Sequence, residues 1–352
     1  MATTRLTGAA THFYRARSAP GVRKLKVVIV SFAHVHAPGY AEQLARDQRV
    51  ELAGFYDEDE ARGRGYAQRY NVPFYPDLAS MLERVKPDVA VVCSPTKMHV
   101  EHVKLAAERG AHLFIEKPLA RTVRECDEII AAVSKAGVKA TVGFNARFDP
   151  ANAAAKAVVE RGELGRVLTA RVRIAHSGAL DRWFDGPRWF ADAELAGGGG
   201  FLDLGVHGAD LLRWLLGEAR GVVARVANLT GAYPIDDFGA AVIEFGSGAV
   251  GVLEAGWVQR AGENPLEVYG DRGTLVRGPG GLRVYTEVKG VWGWFTPAQL
   301  PRVGGNALSD LIDAALADRE PLVTLADGRA ATEIMQAAYM SSAEGRYVRL
   351  PL

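Results

Sequence analysis

The sequence predicts an α/β fold, a doubly wound parallel sheet followed by a second α/β domain built on a mostly antiparallel sheet. Three observations predict it. Short apolar, β-branched runs alternate with helical stretches over roughly 120 residues. The rhythm changes after Pro150, where a segment from Val167 to Ala175 alternates on a period of two. Later strand-like runs are joined by tight turns, Phe245-Gly246-Ser247-Gly248 and Gly270-Asp271-Arg272-Gly273.

Leu25–Val30 (LKVVIV) opens the first domain as a buried parallel strand, with a helix over Pro38–Asp47. Strands follow at Val50–Tyr56, Val89–Cys93, His112–Ile115 and Val138–Val142. Helices fall at Ala61–Tyr70, Leu78–Val85, Val100–Arg109 and Val123–Lys135, stopped by Asn71, Pro87, Gly110 and Gly137. Right-handed crossovers then place a ligand at the carboxyl ends of the strands. In the second domain a helix at Ala151–Arg161 leads into strands Val167–Ala175, Gly221–Leu229, Phe238–Phe245, Ala249–Trp257, Pro265–Tyr269, Gly273–Val276 and Leu282–Tyr285. Helices near Ala307–Leu316 and Ala326–Ser341 close the chain.

Composition sets limits on function. The chain of 352 residues is 48% hydrophobic and 24% charged, with a formal net charge of +1. That balance gives no reason to expect a nucleic-acid or membrane partner. Cys93 and Cys126 form no CxxC pair, so a reducing cytoplasm is expected. Residues 1–23 lack acids, carry Arg5, Arg15 and Arg17, and read as a disordered basic leader rather than a secretory signal.

A dinucleotide site at the first strand would use the turn after Val30. Glycines there permit a tight turn and close approach to a pyrophosphate. This chain has Ser31-Phe32-Ala33-His34-Val35-His36 instead. Ser31 and Ala33 are small enough for a phosphate to approach, whereas His36 must alter packing or point into the site. Asp57, at the end of the second strand, is spaced to bind a ribose 2′-hydroxyl. With Glu58 beside it, NAD is favoured over NADP, although Arg62 and Arg64 keep NADP possible. Ser94-Pro95-Thr96 and His99 end the Val89–Cys93 strand where a dinucleotide would pass. His34 and His36 stand two apart with no third ligand in sequence, so no metal site is expected.

Ile115-Glu116-Lys117-Pro118-Leu119 puts a lysine at the end of a parallel strand, followed by proline. Gly197–Gly200 precede Asp203, Gly205 and His207. Asp203 and His207 are four apart and share a helix face. With Ser94-Pro95-Thr96, His99 and Glu101, this order resembles the Gfo/Idh/MocA oxidoreductases, the glucose-fructose oxidoreductase and inositol dehydrogenase group. The resemblance spans most of residues 25–345. It implies a Rossmann domain at 24–146 and a substrate and oligomerisation domain at 147–352 with a large open sheet, whose terminal helix packs back on the first domain.

It further implies an NAD(P)-dependent dehydrogenase of CH–OH groups in a sugar, polyol or inositol-like substrate, and a homodimer or homotetramer. Lys117, Asp203 and His207 correspond to the catalytic set, and Asn145, Arg147, Asp203 and His207 to substrate-side positions; for Arg147, contact with the cofactor or pairing with an acid between the domains are the alternatives. Ser31, Phe32, Ala33, His34, Val35, Asp57, Ser94, Pro95, Thr96, His99, Glu116 and Lys117 correspond to the cofactor side. The glycine run is expected to bring the helix close to a ligand. His207 is expected to be the base, a role that the near-neutral intrinsic pKa of histidine suits. Two alternatives are an NAD-retaining enzyme that cleaves or epimerises a glycoside, and a non-catalytic ligand sensor.

Overall fold

The computed structural model describes residues 23–352 except Gly262, so most of the expected leader lies outside the described residues. Six strands form a parallel sheet: β1 (Leu25–Val30), β2 (Val50–Tyr56), β3 (Phe74–Tyr75), β4 (Val89–Val92), β5 (His112–Ile115) and β6 (Ala140–Val142). Their order is β3-β2-β1-β4-β5-β6. The order reverses between β1 and β4, which opens a crevice at their carboxyl ends. Helices α1 (Ala37–Arg46), α2 (Glu60–Tyr70), α3 (Leu78–Val85), α4 (His99–Ala107) and α5 (Val123–Ala136) make the crossovers. β1, β4 and β5 are almost wholly buried because helices cover both faces. β3, only two residues long, has too short an apolar run to be legible in sequence.

The second sheet has nine strands. They are β7 (Val167–Ala175), β8 (Ala219–Ala227), β9 (Phe238–Phe245), β10 (Val250–Gly256), β11 (Leu266–Gly270), β12 (Gly273–Gly278), β13 (Gly281–Val288), β14 (Val291–Phe295) and β15 (Val348–Arg349). The order is β14-β13-β12-β11-β7-β10-β9-β8-β15. Pairing is antiparallel except between β7 and β10. The sequence reading did not anticipate edge strands β14 and β15.

Helix α6 (Pro150–Glu160) enters the second sheet, and a short turn α7 (Ala193–Ala196) precedes α8 (Gly200–Leu216). α8 and the long α10 (Leu325–Glu344) lie on one face of this sheet. α9 (Ala307–Ala317) crosses back to β5 and β6, and α10 also touches α5. The amide of Ala307 donates to Asn145 Oδ1 at 3.1 Å, and the amide of Val123 to Gln336 Oε1 at 2.9 Å.

Arg147 is placed by this return rather than by a substrate. Its Nε and Nη2 donate to the Asp210 carboxylate at 2.9 and 2.5 Å, and Nη2 lies 3.1 Å from Asp327. Both Arg147 and Asp210 are buried. Of the readings open for Arg147, the pairing with acids is the one seen: its charge compensates the buried Asp210 of α8 and the partly buried Asp327 of α10. Asn145 is likewise a brace, accepting from Ala307 and donating to Tyr40 Oη at 3.4 Å.

Two outcomes follow from this packing. Arg147→Ala leaves Asp210 buried without its partner, and chemical denaturation should show a loss of about 3–5 kcal/mol. His102, buried on α4 with Nδ1 3.0 Å from Ser94 Oγ, has its pKa lowered to about 4 by burial and by His99. A depressed histidine pKa means the unfolded chain binds the extra proton, so this stability is present above pH 6.5 and is lost as pH falls. At pH 5 the loss is about 2 kcal/mol for this group. Calorimetric scans at pH 7 and pH 5 should show a smaller Tm drop for His102→Gln than for the unsubstituted protein; equal drops would contradict the assignment.

Candidate active site between the two sheets

Lys117 stands just beyond β5 with its Nζ turned toward α8. It donates to the backbone oxygen of Asp203 at 2.9 Å and to Oδ1 at 2.5 Å. Trp257 Nε1 donates to Asp203 Oδ2 at 2.9 Å. The Lys117–Pro118 peptide is cis. Burial alone would raise the Asp203 carboxyl, but the Lys117 ammonium and the indole N–H outweigh it and hold the carboxyl well below the usual range.

His207 follows one turn later on α8 and meets the Phe144 ring edge to face at 5.9 Å. Its Nδ1 is buried with no hydrogen-bond partner among the described residues. Burial first, then the Lys117 ammonium, push its pKa down to about 3. The fold thus moves the ring well below its near-neutral intrinsic value. In the free protein the ring is a neutral acceptor facing a lysine.

The glycine run has a different purpose from the one expected. A Cβ on Gly199 would lie 1.9 Å from the Asp236 carbonyl oxygen, and one on Gly198 2.5 Å from Tyr339 Oη. The amides of Gly199 and Phe201 donate to the Asp236 carboxylate at 2.9 Å each. The glycines let α8 start hard against the protein's own backbone, which aims Asp203 and His207 at Lys117.

The loop after β1 keeps the required turn without glycine. Ser31 adopts φ 75°, the left-handed region, and its Oγ accepts from the Ala33 amide at 3.0 Å and donates to Glu58 Oε1 at 3.0 Å. The Phe32 ring turns into the core and stacks on Tyr66 at 4.2 Å, so its side chain does not face a cofactor. Ala33 presents its carbonyl to Trp189 Nε1 at 3.0 Å. The His34 ring is buried, 5.1 Å from Phe190, and burial pushes its pKa to about 3. Val35 is exposed at the tip, next to the N-terminus of α1. A left-handed turn leading to an exposed tip at a helix N-terminus fits a dinucleotide phosphate.

Asp57, expected as the ribose ligand, is engaged within the protein. Its oxygens already accept from the amides of Phe32 (2.9 Å) and Asp59 (2.8 Å) and from Arg62 Nε (2.9 Å) and Nη2 (2.6 Å). Those four bonds fill the acceptor positions of a carboxylate. Glu58 is the more open acid, with its side chain 22% exposed. Sequence reasoning had used it to favour NAD over NADP, with Asp57 as the ribose ligand.

His99 is also corrected. It is buried between the carbonyl oxygens of Ser94 and Leu119, 3.1 Å from each, and so ties the turn after β4 to the turn carrying Pro118. Ser94 is buried against His102. Pro95 starts the 3₁₀ turn Thr96–Met98. Thr96 lines a small cleft with Lys117, Pro118, Trp189, Phe190 and Asp203. Tyr40 Oη donates to Glu116 Oε2 at 2.8 Å, and His36 Nδ1 lies 3.4 Å from Glu116 Oε1. The expectation of no metal rested on a missing third ligand, and Glu116 supplies one beside His34 and His36.

Sequence reasoning missed His176, which follows β7. Its ring stacks on Trp183 at 4.6 Å, and burial, then the opposed fields of Asp203 and Lys117, leave its pKa lowered. Trp183 is half exposed at the edge of the site. Nothing in the local pattern around His176 distinguished it from a strand-end residue.

The described residues contain no helix long and apolar enough to cross a membrane. Residues 25–144 match the oxidoreductase family with an NAD-binding Rossmann fold, and residues 152–276 match the GFO/IDH/MocA C-terminal domain. The chain is 30% identical over 249 residues to myo-inositol 2-dehydrogenase of Thermotoga maritima, covering 67% of this chain and 70% of that one. It is 30% identical over 202 residues to D-glucoside 3-dehydrogenase of Escherichia coli K12, covering 57% and 56%. The structure of GenD2 from gentamicin A biosynthesis, in complex with NAD, superposes with a TM-score of 0.82 at 30% identity, covering 96% of this chain and 99% of that one. A parallel sheet in the order β3-β2-β1-β4-β5-β6, a lysine beyond β5 clamped to an Asp-x-x-x-His helix, and these matches together place the chain in the Gfo/Idh/MocA family of oxidoreductases, with that family's NAD-binding Rossmann domain.

Proposed function

We propose that this oxidoreductase moves a hydride between NAD and a hydroxyl-bearing carbon of a sugar, polyol or inositol-like substrate. The observation that carries the reading is the Lys117–Asp203 ion pair with His207 one turn away. The nicotinamide, when bound, supplies or accepts the hydride. A substrate hydroxyl beside Lys117 Nζ gains a charged donor that stabilises negative charge as it develops on oxygen. His207, neutral and with a free ring nitrogen, accepts the hydroxyl hydrogen. Asp203 holds Lys117 in place and offsets its charge.

Ser31, Ala33 and Val35 form the phosphate-side turn, and Glu58 is the acid we assign to the adenosine ribose. Arg62 is committed to Asp57 and Glu58, which leaves the turn acidic and supports NAD over NADP. Trp183 on His176 offers an apolar ring face of the kind that stacks on a sugar. The domain limits proposed are 24–146 and 147–352. The face of the second sheet away from α8 and α10 exposes Val223, Val242, Tyr269, Tyr285, Trp292 and Trp294, which supports a homo-oligomer formed through it. Cys93 and Cys126 are free and buried, in keeping with a reducing cytoplasm.

Titration of the purified protein with NADH and NADPH by calorimetry should show the tighter binding for NADH. Binding of neither, with none carried through purification, would remove the reading. In a panel of sugars, inositols and polyols, NADH should accumulate with at least one member. Cleavage of a glycoside without NADH accumulation would point instead to the cyclic, NAD-retaining route. His207→Ala should lower kcat by about 10²–10⁴ while NADH affinity is kept. Trp183→Ala should raise KM for the preferred substrate more than it changes kcat; an unchanged KM would remove the stacking platform.

A further inference from the structure

Glu116 is adjacent to Lys117 in sequence and feels its field, but the lysine's hydrogen bonds go to Asp203. The Glu116 side chain is 1% exposed. A carboxylate so buried needs a compensating charge or full hydrogen bonding. Its Oε2 has the Tyr40 hydroxyl at 2.8 Å. Its Oε1 has His36 Nδ1 at 3.4 Å and His34 Nε2 at 3.8 Å, the second too long for a hydrogen bond.

His34 adds an independent observation. Its side chain is 3% exposed, and its Nε2 is buried without any hydrogen-bond partner while aimed at the same carboxylate oxygen. One donor atom from each of His34, His36 and Glu116 lies within 4.8 Å of the others. Two imidazole nitrogens and a carboxylate oxygen are the ligand types of zinc sites that keep a position open for water or substrate. The second shell is half built, since the Tyr40 hydroxyl already holds the non-ligating oxygen of Glu116.

We propose that His34 Nε2, His36 Nδ1 and Glu116 Oε1 bind a divalent transition-metal ion, zinc by its ligand set, between the loop after β1 and the end of β5. The His36 side chain is 47% exposed, so the ion is reachable from solvent and keeps coordination positions for water or an oxygen ligand.

Two contacts yield on binding. The 3.4 Å approach of His36 Nδ1 to Glu116 Oε1 opens to admit the ion, with the His36 ring proton on Nε2. The His36 amide donates to His34 Nδ1 at 3.2 Å, which places the neutral ring's proton on Nε2. Ligation through Nε2 moves that proton to Nδ1 and turns the His36 amide away, with no net proton loss from the ring. A long hydrogen bond is exchanged for a coordinate bond, and an amide of the phosphate-side loop is freed.

The test uses the full-length, untagged protein, purified without chelator. Its metal content is measured by plasma mass spectrometry, and the chelator-stripped protein is titrated with zinc chloride by calorimetry. Near-stoichiometric zinc, or saturable zinc binding to stripped protein, is expected, with loss of both in His36→Ala and His34→Ala. His36 is half exposed, so its variant keeps the test valid if His34→Ala does not fold. Another divalent transition metal held at the same stoichiometry and lost in His36→Ala would also support the site. Metal content and zinc affinity equal in the unsubstituted protein and His36→Ala, including absence in both, would overturn it. NADH titration of the same stripped protein separates this outcome from the cofactor reading, because NADH binding without metal leaves that reading intact.

Discussion

The buried contact between Lys117 and Asp203 is the constraint around which the two sheets are arranged. A lysine only 3% exposed must be paired, and its partner comes from the first turn of a helix on the other sheet. The rest of the cleft serves that geometry. His99 fixes the turn after Lys117-Pro118 by bridging the Ser94 and Leu119 carbonyl oxygens. Asp236 caps the start of α8, and the glycines let the helix begin against the protein backbone. Trp257 holds the second oxygen of Asp203. Each contact restricts where Nζ and the His207 ring can lie, and catalysis depends on such pre-set positions.

The loop after β1 shows how a turn usually made with glycine is made without it. Ser31 takes the left-handed conformation, and its hydroxyl satisfies the Ala33 amide while reaching Glu58. Phe32 supplies the apolar surface that a glycine lacks, stacked on Tyr66. Asp57 receives the Phe32 amide and the Arg62 guanidinium together, so the acid at the end of β2 works as a structural clasp. The acidic character near the turn then passes to Glu58. The nucleotide preference we assign follows from where these charges are already committed.

Histidines gather where the sheets meet. His34 and His36 come from the loop after β1, His176 from the end of β7, and His207 from α8. Burial disfavours the protonated forms of His34, His176 and His207, so these rings enter the cleft as neutral acceptors or donors. Glu116 and Asp203 face different sides of this cluster. Asp203 takes the lysine's hydrogen bonds, and Glu116 makes its direct contacts with Tyr40, His36 and His34. That asymmetry separates a pairing that is complete within the protein from one that asks for a cation.

The sequence alone determined the alternation of strands and helices through β6 apart from the two-residue β3, the change to period-two strands at Val167–Ala175, and the placing of Lys117 at a strand end and His207 on one helix face with Asp203. These are local properties: apolar periodicity, capping residues and i,i+4 spacing are legible without knowing what packs where. Tertiary structure decided what the local pattern cannot carry. Arg147 read as facing a ligand or pairing with an acid, and packing brings it Asp210, 63 positions away; Asp57 read as a ribose ligand, and its oxygens are engaged by the nearby Arg62 and by the Phe32 amide of the loop after β1. The glycines before α8 read as room for a ligand and turned out to be room for the Asp236 backbone. His34 and His36 lacked a third ligand until β5 brought Glu116, eighty positions from His36, to within 3.4 Å of it. Charge pairing and close approach are decided by distance in space, and that distance is fixed only once both sheets are packed.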